Sequence, residues 1–153
     1  MSEPRLVVIA SHNRSKSREI EQLLRAGLAD LPVEIRLLAD YPDALPPPDE
    51  NADSYVGNAV IKACACAAFT QAISFADDAG LEIDALGGKP GMHSRRFAGE
   101  QTPFPVKMSL LLEMLKDVPP ARRTARFRCA VAIAMPDGAC YTFEDTLEGR
   151  IAD

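Results

Sequence analysis

The stretch from Phe75 to Glu100 constrains the fold of this chain more than any other part of its sequence. A short apolar run over residues 73–76 leads there into two adjacent carboxylates, Asp77 and Asp78. Acidic side chains that follow a buried strand are typical of ligand sites in α/β proteins. Taken alone, Asp-Asp-Ala-Gly is equally typical of a turn that ends a strand, because Asp and Gly are common turn residues.

Basic residues follow these carboxylates on a loop that is rich in glycine. Its glycines permit sharp backbone turns, and the loop contains Gly87, Gly88, Lys89, Gly91, Arg95 and Arg96. Carboxylates offer the hard oxygen atoms that divalent cations prefer. Because a metal on one side and cationic side chains on the other complement a phosphate group, we interpret this stretch as part of a phosphate site.

Composition predicts one globular domain over residues 1–153, since 47% of the residues are hydrophobic and 25% are charged. The formal charge of −5 disfavours nucleic-acid binding, which usually needs a basic face. No apolar run approaches the roughly 20 residues that span a bilayer, and the N-terminus lacks a signal-peptide pattern. The sequence therefore predicts a cytoplasmic protein that binds neither nucleic acid nor membrane and whose four cysteines are reduced.

The spacing of apolar residues predicts alternating strands and helices. Strands are expected at 5–10, 34–38 and 73–76, and a hairpin at 125–134 and 140–146. Helices are expected at 15–29, 53–72 and 105–115, the first with its N-cap at Asn13 or Ser15 and the second at Asp53 or Ser54. These elements predict an α/β fold in which helices flank a mixed, twisted sheet with an active-site cleft.

The junction between the first strand and the first helix is a candidate anion site. Its backbone amides and the positive end of the helix dipole meet at one place. An ordinary strand-to-helix loop remains the alternative, because the spacing of a P-loop is missing. The residues concerned are Ser11, His12, Asn13, Arg14, Ser15 and Lys16.

Three further polar residues are candidates for the same site. Asn58 and Lys62 lie four positions apart on the second helix and therefore share one of its faces, although an exposed surface explains such a pair equally well. Glu50 precedes that helix and could join Asp77 and Asp78 in binding Mg²⁺, which prefers carboxylate oxygens and substrate phosphates.

Three segments, in this order, resemble the motifs of the inosine/xanthosine triphosphate pyrophosphatase family. SHNRSKSREI is similar to the family's Thr-Gly-Asn-x-x-Lys-x-x-Glu opening, and ENADSYVGNAVIKA to its Glu-x-Gly-x-Thr-Phe-x-Glu-Asn-Ala-x-x-Lys-Ala motif. ADDAGLEIDALGGKPGMHSRRFAG is similar to its Asp-Asp-Ser-Gly-Leu through Pro-Gly-x-x-Ser-Ala-Arg signature. Their order makes the resemblance far more specific than any one motif.

The resemblance implies Mg²⁺-dependent hydrolysis of ITP, dITP and XTP to the monophosphate and pyrophosphate by a homodimer. It implies that Asp78 is the general base and that Glu50, Asp77 and Asp78 hold the metal. The implied substrate-binding residues are Ser11, His12, Asn13, Arg14, Ser15, Lys16, Asn58, Lys62, Ala79 and Arg96.

Four substitutions depart from the family motifs. His12 replaces Gly, Gly57 replaces Glu, Ala79 replaces Ser and Arg95 replaces Ala. Gly57 is expected to weaken its helix by roughly 1 kcal/mol relative to Ala if it lies in the interior. The family's later Phe-Gly-Tyr-Asp-Pro and Ser-His-Arg motifs do not occur here, so the chain is expected to be C-terminally short and its base preference is not assigned.

Two other functions fit the same residues. One is a degenerate, non-catalytic protein that binds nucleotides or dimerises after losing base recognition. The other is a different phosphohydrolase with the same metal site and a broader choice of substrate.

Overall fold

The computed structural model describes residues 3–42 and 45–152, and this part of the chain forms a six-stranded sheet with three α-helices. The order along the chain is β1 (Arg5–Ile9), α1 (Arg14–Gly27), β2 (Val33–Leu37), α2 (Tyr55–Thr70), β3 (Ile73–Ile83), β4 (Lys89–Gly91), α3 (Phe104–Met114), β5 (Thr124–Ala134) and β6 (Cys140–Arg150). The strand order is β2-β1-β3-β5-β6, and β4 pairs with β3. Parallel and antiparallel pairs occur together, which confirms the predicted mixed α/β fold.

The backbone separates into two compact units, and the division falls within β3, β5 and β6. Unit 1 comprises Met1–Asp78 and Ala130–Phe143, whereas unit 2 comprises Ala79–Cys129 and Glu144–Asp153. The single domain expected from the composition stays a prediction.

Unit 1 is built on parallel strands that α1 covers. β1 pairs with β2 from Arg5↔Val33 to Ile9↔Leu37, and it pairs with β3 through residues 7–9. Buried apolar side chains of β1 and β2 contact the apolar stripe of α1, in a cluster of Ile9, Ile35, Leu37, Ile20 and Leu24. The apolar side chain of Leu23, between Ile20 and Leu24 in the sequence, is 73% exposed and does not join this cluster.

β3 is much longer than the four-residue strand that the sequence predicted. It runs for 11 residues and passes straight through Asp77 and Asp78. Pairing explains the difference: residues 73–75 align with β1, and beyond the two aspartates residues 81–83 align with β4. The interpretation of Asp-Asp-Ala-Gly as a strand-ending turn is therefore wrong.

α2 begins at a side-chain cap that the sequence predicted. Ser54 is the N-cap and its hydroxyl accepts a hydrogen bond from the amide of Gly57. The two cysteines of this helix lie on different faces, since Cys66 is fully buried and Cys64 is exposed. Burial raises the pKa of the Cys66 thiol, so this thiol is a poor nucleophile at neutral pH.

Unit 2 has its own apolar core beneath α3. The buried residues Ile83, Leu111, Leu115 and Ala125 form it, with partly buried side chains around them. α3 begins at Phe104 with Pro105 in its first turn, where the missing amide hydrogen costs nothing. Within the two described ranges, no helix combines the length and the apolar character needed to cross a bilayer.

Asp84 follows β3 in unit 2 and is expected to make the stability of this unit depend on pH. A hydrogen bond from the Thr124 hydroxyl at 2.6 Å, together with the Arg126 guanidinium, lowers the pKa of the Asp84 carboxyl. A carboxyl whose pKa is lower in the folded state than in the unfolded state stabilises the fold at every pH above its unfolded-state pKa. This stabilisation is lost as the pH falls through the folded-state pKa.

We therefore expect Asp84→Asn to reduce the free energy of unfolding at neutral pH and to change it little well below about pH 4. Urea unfolding of both proteins across this range measures the difference. Asp30→Asn, at an exposed aspartate of unit 1, is the matched control. An Asp84→Asn effect that stays constant with pH would contradict the assignment.

Candidate active site

Two carboxylates of β3 lie at the centre of the candidate site. Asp77 and Asp78 are 9% and 8% exposed. Because consecutive residues of a strand point to opposite faces, the two carboxylates contact lysines from different helices. Lys16 of α1 lies with its Nζ 2.6 Å from Asp77 Oδ2, and Lys62 of α2 lies with its Nζ 3.3 Å from Asp78 Oδ1.

Lys62 also joins Asp78 to a carboxylate from another part of the chain. Its Nζ lies 3.7 Å from Glu50 Oε2, and its side chain is only 16% exposed. Glu50 precedes α2 by a few residues, so the turn at the start of this helix carries Glu50 back beside Lys62. One ammonium group therefore binds two carboxylates that are 28 positions apart in the sequence.

Asn58 lies on the same face of α2 as Lys62, as their spacing predicted. It is 4% exposed, and its side-chain amide donates to Asp78 Oδ2 over 3.2 Å. Its Oδ1 accepts a hydrogen bond from the backbone amide of Ala52 over 3.1 Å. Each carboxylate oxygen of Asp78 thus has its own partner, one from Asn58 and one from Lys62.

The three predicted metal ligands do not converge on one position. Asp77 is paired with Lys16, whereas Glu50 and Asp78 share Lys62. Across residues 3–42 and 45–152, no group of three or more His, Cys, Asp or Glu side chains is placed to hold a metal ion. Adjacent strand positions account for this separation, because they direct Asp77 and Asp78 to different faces.

Two converging carboxylates nevertheless fit Mg²⁺. This ion is usually held by one or two carboxylates, with waters and substrate phosphates completing its shell. Glu50 and Asp78 already bind a single cation, the Lys62 ammonium, with hard oxygen atoms. They are the residues that would hold Mg²⁺ here.

The junction from Ser11 to Lys16 is ordered by its own side chains. Asn13 caps α1 by accepting a hydrogen bond from the amide of Lys16, and the hydroxyl of Ser11 accepts one from the amide of Asn13.

The basic side chains of this junction make contacts in two directions. Lys16 contacts Asp77, whereas Arg14 and His12 contact the segment after β2. Arg14 donates to the carbonyl oxygen of Ala39 and lies 3.8 Å from Asp40, and His12 Nε2 donates to the carbonyl oxygen of Leu45. Ser15 is exposed.

The remaining two predicted substrate-binding residues belong to unit 2. Ala79 is an exposed residue of β3, and Arg96 is exposed on the loop after β4. A surface cavity of about 510 Å³ in this unit is lined by residues such as Asp117 and Arg122 and by none of the predicted site residues. The predicted site residues that contact one another therefore belong to unit 1.

Sequence reasoning missed the role of Gly57. This residue is in the first turn of α2, and a Cβ atom there would lie 2.6 Å from Ala52 Cβ and 3.0 Å from Ser54 Oγ. The expectation that it merely weakens the helix is incomplete, because the turn before α2 packs directly against its backbone. The replacement of a large family residue by glycine was the signal in the sequence that pointed to such a close approach.

Comparison with known proteins agrees with this fold and these motifs. A family model described as "Ham1 family" matches residues 7–153. A dITP/XTP pyrophosphatase of an Exiguobacterium species is 43% identical over 145 residues, which cover 95% of this chain and 70% of that protein. A dITP/XTP pyrophosphatase of Desulforamulus reducens is 39% identical over 145 residues, with the same coverage of both chains.

A solved structure shows the same fold. The structure of a HAM1 protein from Coxiella burnetii superposes with a TM-score of 0.81 at 33% sequence identity, covering 97% of this chain and 73% of that chain. At this similarity the α/β architecture and the order of its elements are shared.

Proposed function

Because the chain belongs to the Ham1 family, as its motifs predicted, we propose that it is a Mg²⁺-dependent nucleoside triphosphate pyrophosphatase. Its proposed substrates are the non-canonical purine nucleotides ITP, dITP and XTP, and its products are the monophosphate and pyrophosphate. Relatives with 39% and 43% identity that are dITP/XTP pyrophosphatases support this choice of substrates.

The observation that carries the proposal is the environment of Asp78. Its carboxylate is buried, each of its oxygens has a partner, and one partner is an ammonium shared with Glu50. A fixed carboxylate can accept the proton of a water molecule during attack on phosphorus.

In the proposed reaction, Asp78 orients a water molecule and accepts its proton as the water oxygen bonds to the α-phosphorus. The bond from the α-phosphorus to the oxygen that bridges to the β-phosphorus breaks, and pyrophosphate leaves with that oxygen. In this proposal Lys62 and Lys16, which lie beside the two aspartates, stabilise negative charge on the phosphates. When bound, Mg²⁺ supplies Lewis-acid polarisation of the phosphate oxygens. Glu50 and Asp78 would hold it.

Separate measurement of pyrophosphate and orthophosphate tests the function. The pure chain is incubated with ITP, dITP, XTP and ATP in the presence of Mg²⁺. The proposal expects pyrophosphate from the first three substrates and much less product from ATP. Nucleotide binding without turnover would instead indicate the non-catalytic function, and orthophosphate would indicate a different phosphohydrolase.

We also propose a cytoplasmic homodimer. On α3 of unit 2, the apolar side chains of Val106, Leu110 and Met114 follow one another at four-residue spacing and are 42–49% exposed. Such a stripe supports a contact between copies. Light scattering coupled to gel filtration is expected to give twice the mass of the chain, and a monomer would contradict the dimer. Cell fractionation tests the cytoplasmic location.

A further inference from the structure

We propose that Asn58 is a positioning residue that fixes the carboxylate of Asp78 relative to the turn that carries Glu50. In this role Asn58 acts on the reaction through Asp78 and Glu50 and does not bind the nucleotide. The inference rests on the proposed function. It differs from the substrate contact that the family resemblance implied for Asn58.

Both ends of the Asn58 amide are occupied within the protein. The NH₂ group donates to Asp78 Oδ2, and the oxygen accepts from the backbone of Ala52. With 4% of its surface exposed, Asn58 has little area left for a ligand. A neutral donor orients the carboxylate without adding a second positive charge beside Lys62, whose ammonium already serves the other oxygen.

Gly57 supplies an independent observation about the same contact. Ala52 comes so close to α2 that a side chain at position 57 would be 2.6 Å from its Cβ atom. The turn from Asp49 to Ser54 is thus held against α2 by shape at Gly57 and by a hydrogen bond at Asn58. Glu50 lies two residues before Ala52, so its distance from Lys62 depends on this docking.

Two substitutions of Asn58 separate its two hydrogen bonds. Asn58→Asp keeps an acceptor for the Ala52 amide but cannot donate to Asp78 and adds a negative charge beside it, whereas Asn58→Leu loses both bonds and keeps the branched shape of the side chain. Loss of a residue that orients a ligand or base typically costs about 10–100-fold. We expect kcat for dITP to fall by that factor in both variants, while KM for dITP changes little because Asn58 does not touch the nucleotide.

Two control variants separate positioning from general loss of stability. Leu111→Ala removes a buried side chain from the core of unit 2 and is expected to lower Tm by several degrees while kcat stays close to wild type. Asn51→Ala removes an exposed asparagine from the turn that carries Glu50 and is expected to change neither quantity. The inference is overturned if Leu111→Ala loses as much kcat as the Asn58 variants, or if the Asn58 variants raise KM and keep kcat.

A reciprocal pair of substitutions tests the docking at Gly57. Gly57→Ala increases helix propensity, yet its Cβ must displace the turn, and a displacement near 1 Å can lower the rate by about 10–100-fold. In the double variant Ala52→Gly/Gly57→Ala the Cβ contact is removed and Ala52 Cα, at 4.0 Å, becomes the nearest atom of that residue. Most of the lost kcat is expected to return. A fully active Gly57→Ala, or a double variant no better than Gly57→Ala, would overturn the docking.

Amide hydrogen exchange distinguishes failure of this inference from failure of the proposed function. If the wild-type chain releases no pyrophosphate, the proposed function fails. The Ala52 amide is still expected to exchange faster in Asn58→Leu than in the wild type, because it loses its acceptor. Unchanged exchange at Ala52 would overturn the inference in either case.

Discussion

Asp78→Asn is expected to lower kcat for dITP by about 10²–10⁴-fold, the range that a positioned general base contributes. The substitution keeps the size and shape of the side chain and still offers an oxygen to the amide of Asn58. It removes the negative charge that accepts the proton of the attacking water. A coupled pyrophosphate assay at saturating dITP and Mg²⁺ measures the loss.

Asp53→Asn is the matched control for Asp78→Asn. Asp53 is an exposed aspartate just before α2, and the cap of this helix is the neighbouring Ser54. We expect wild-type kcat and Tm in this control. An Asp78→Asn protein that folds normally and retains most of its kcat would refute the assignment of Asp78 as general base.

Lys62→Met is expected to have the second largest effect, a fall in kcat of about 10²–10³-fold, as found when one preorganised group that stabilises developing charge is removed. In metal-free buffer the variant also leaves Glu50 and Asp78 without their shared ammonium. Removing one partner of a buried ion pair typically lowers the free energy of unfolding by about 3–5 kcal/mol. Because the Lys62 side chain is still 16% exposed, we expect a loss of unfolding free energy at the lower end of that range.

Added Mg²⁺ distinguishes the two consequences of Lys62→Met. If Glu50 and Asp78 hold the ion, Mg²⁺ raises Tm of the variant more than Tm of the wild type, because it replaces the missing positive charge. Lys116→Met, at an exposed ion pair with Glu113, should change Tm and kcat little. An equal effect of Mg²⁺ on both proteins would argue against a metal position between these carboxylates.

Local signals allowed several parts of the site to be predicted. Asn13 and Ser54 cap their helices as expected, since a short polar side chain before an amphipathic run is a strong signal in a single sequence. The four-residue spacing of Asn58 and Lys62 correctly placed both on one face of α2. These features depend on contacts between neighbours in the sequence.

The course of β3 depends on distant contacts and was predicted wrongly. Asp77, Asp78 and Gly80 favour a turn locally, but pairing with β1 before them and with β4 after them keeps the chain extended. That extension arranges the candidate site, because it sends the two carboxylates to different lysines. Likewise, the contact between Gly57 and Ala52 follows from packing of the turn against α2, which the sequence marks only through the glycine that departs from the family motif at position 57.

Because Lys16 and Lys62 already bind carboxylates, the proposed function predicts an unusual response of nucleotide binding to ionic strength. In the proposed complex with a triphosphate, both lysines leave Asp77 and Asp78, at least in part, to bind phosphate oxygens. Each ammonium group then exchanges a contact with a carboxylate for a contact with a phosphate. Binding therefore adds fewer close opposite-charge contacts than there are lysines that bind the nucleotide. Nucleotide affinity should therefore weaken with added salt less steeply than it would if both ammonium groups were solvated before binding.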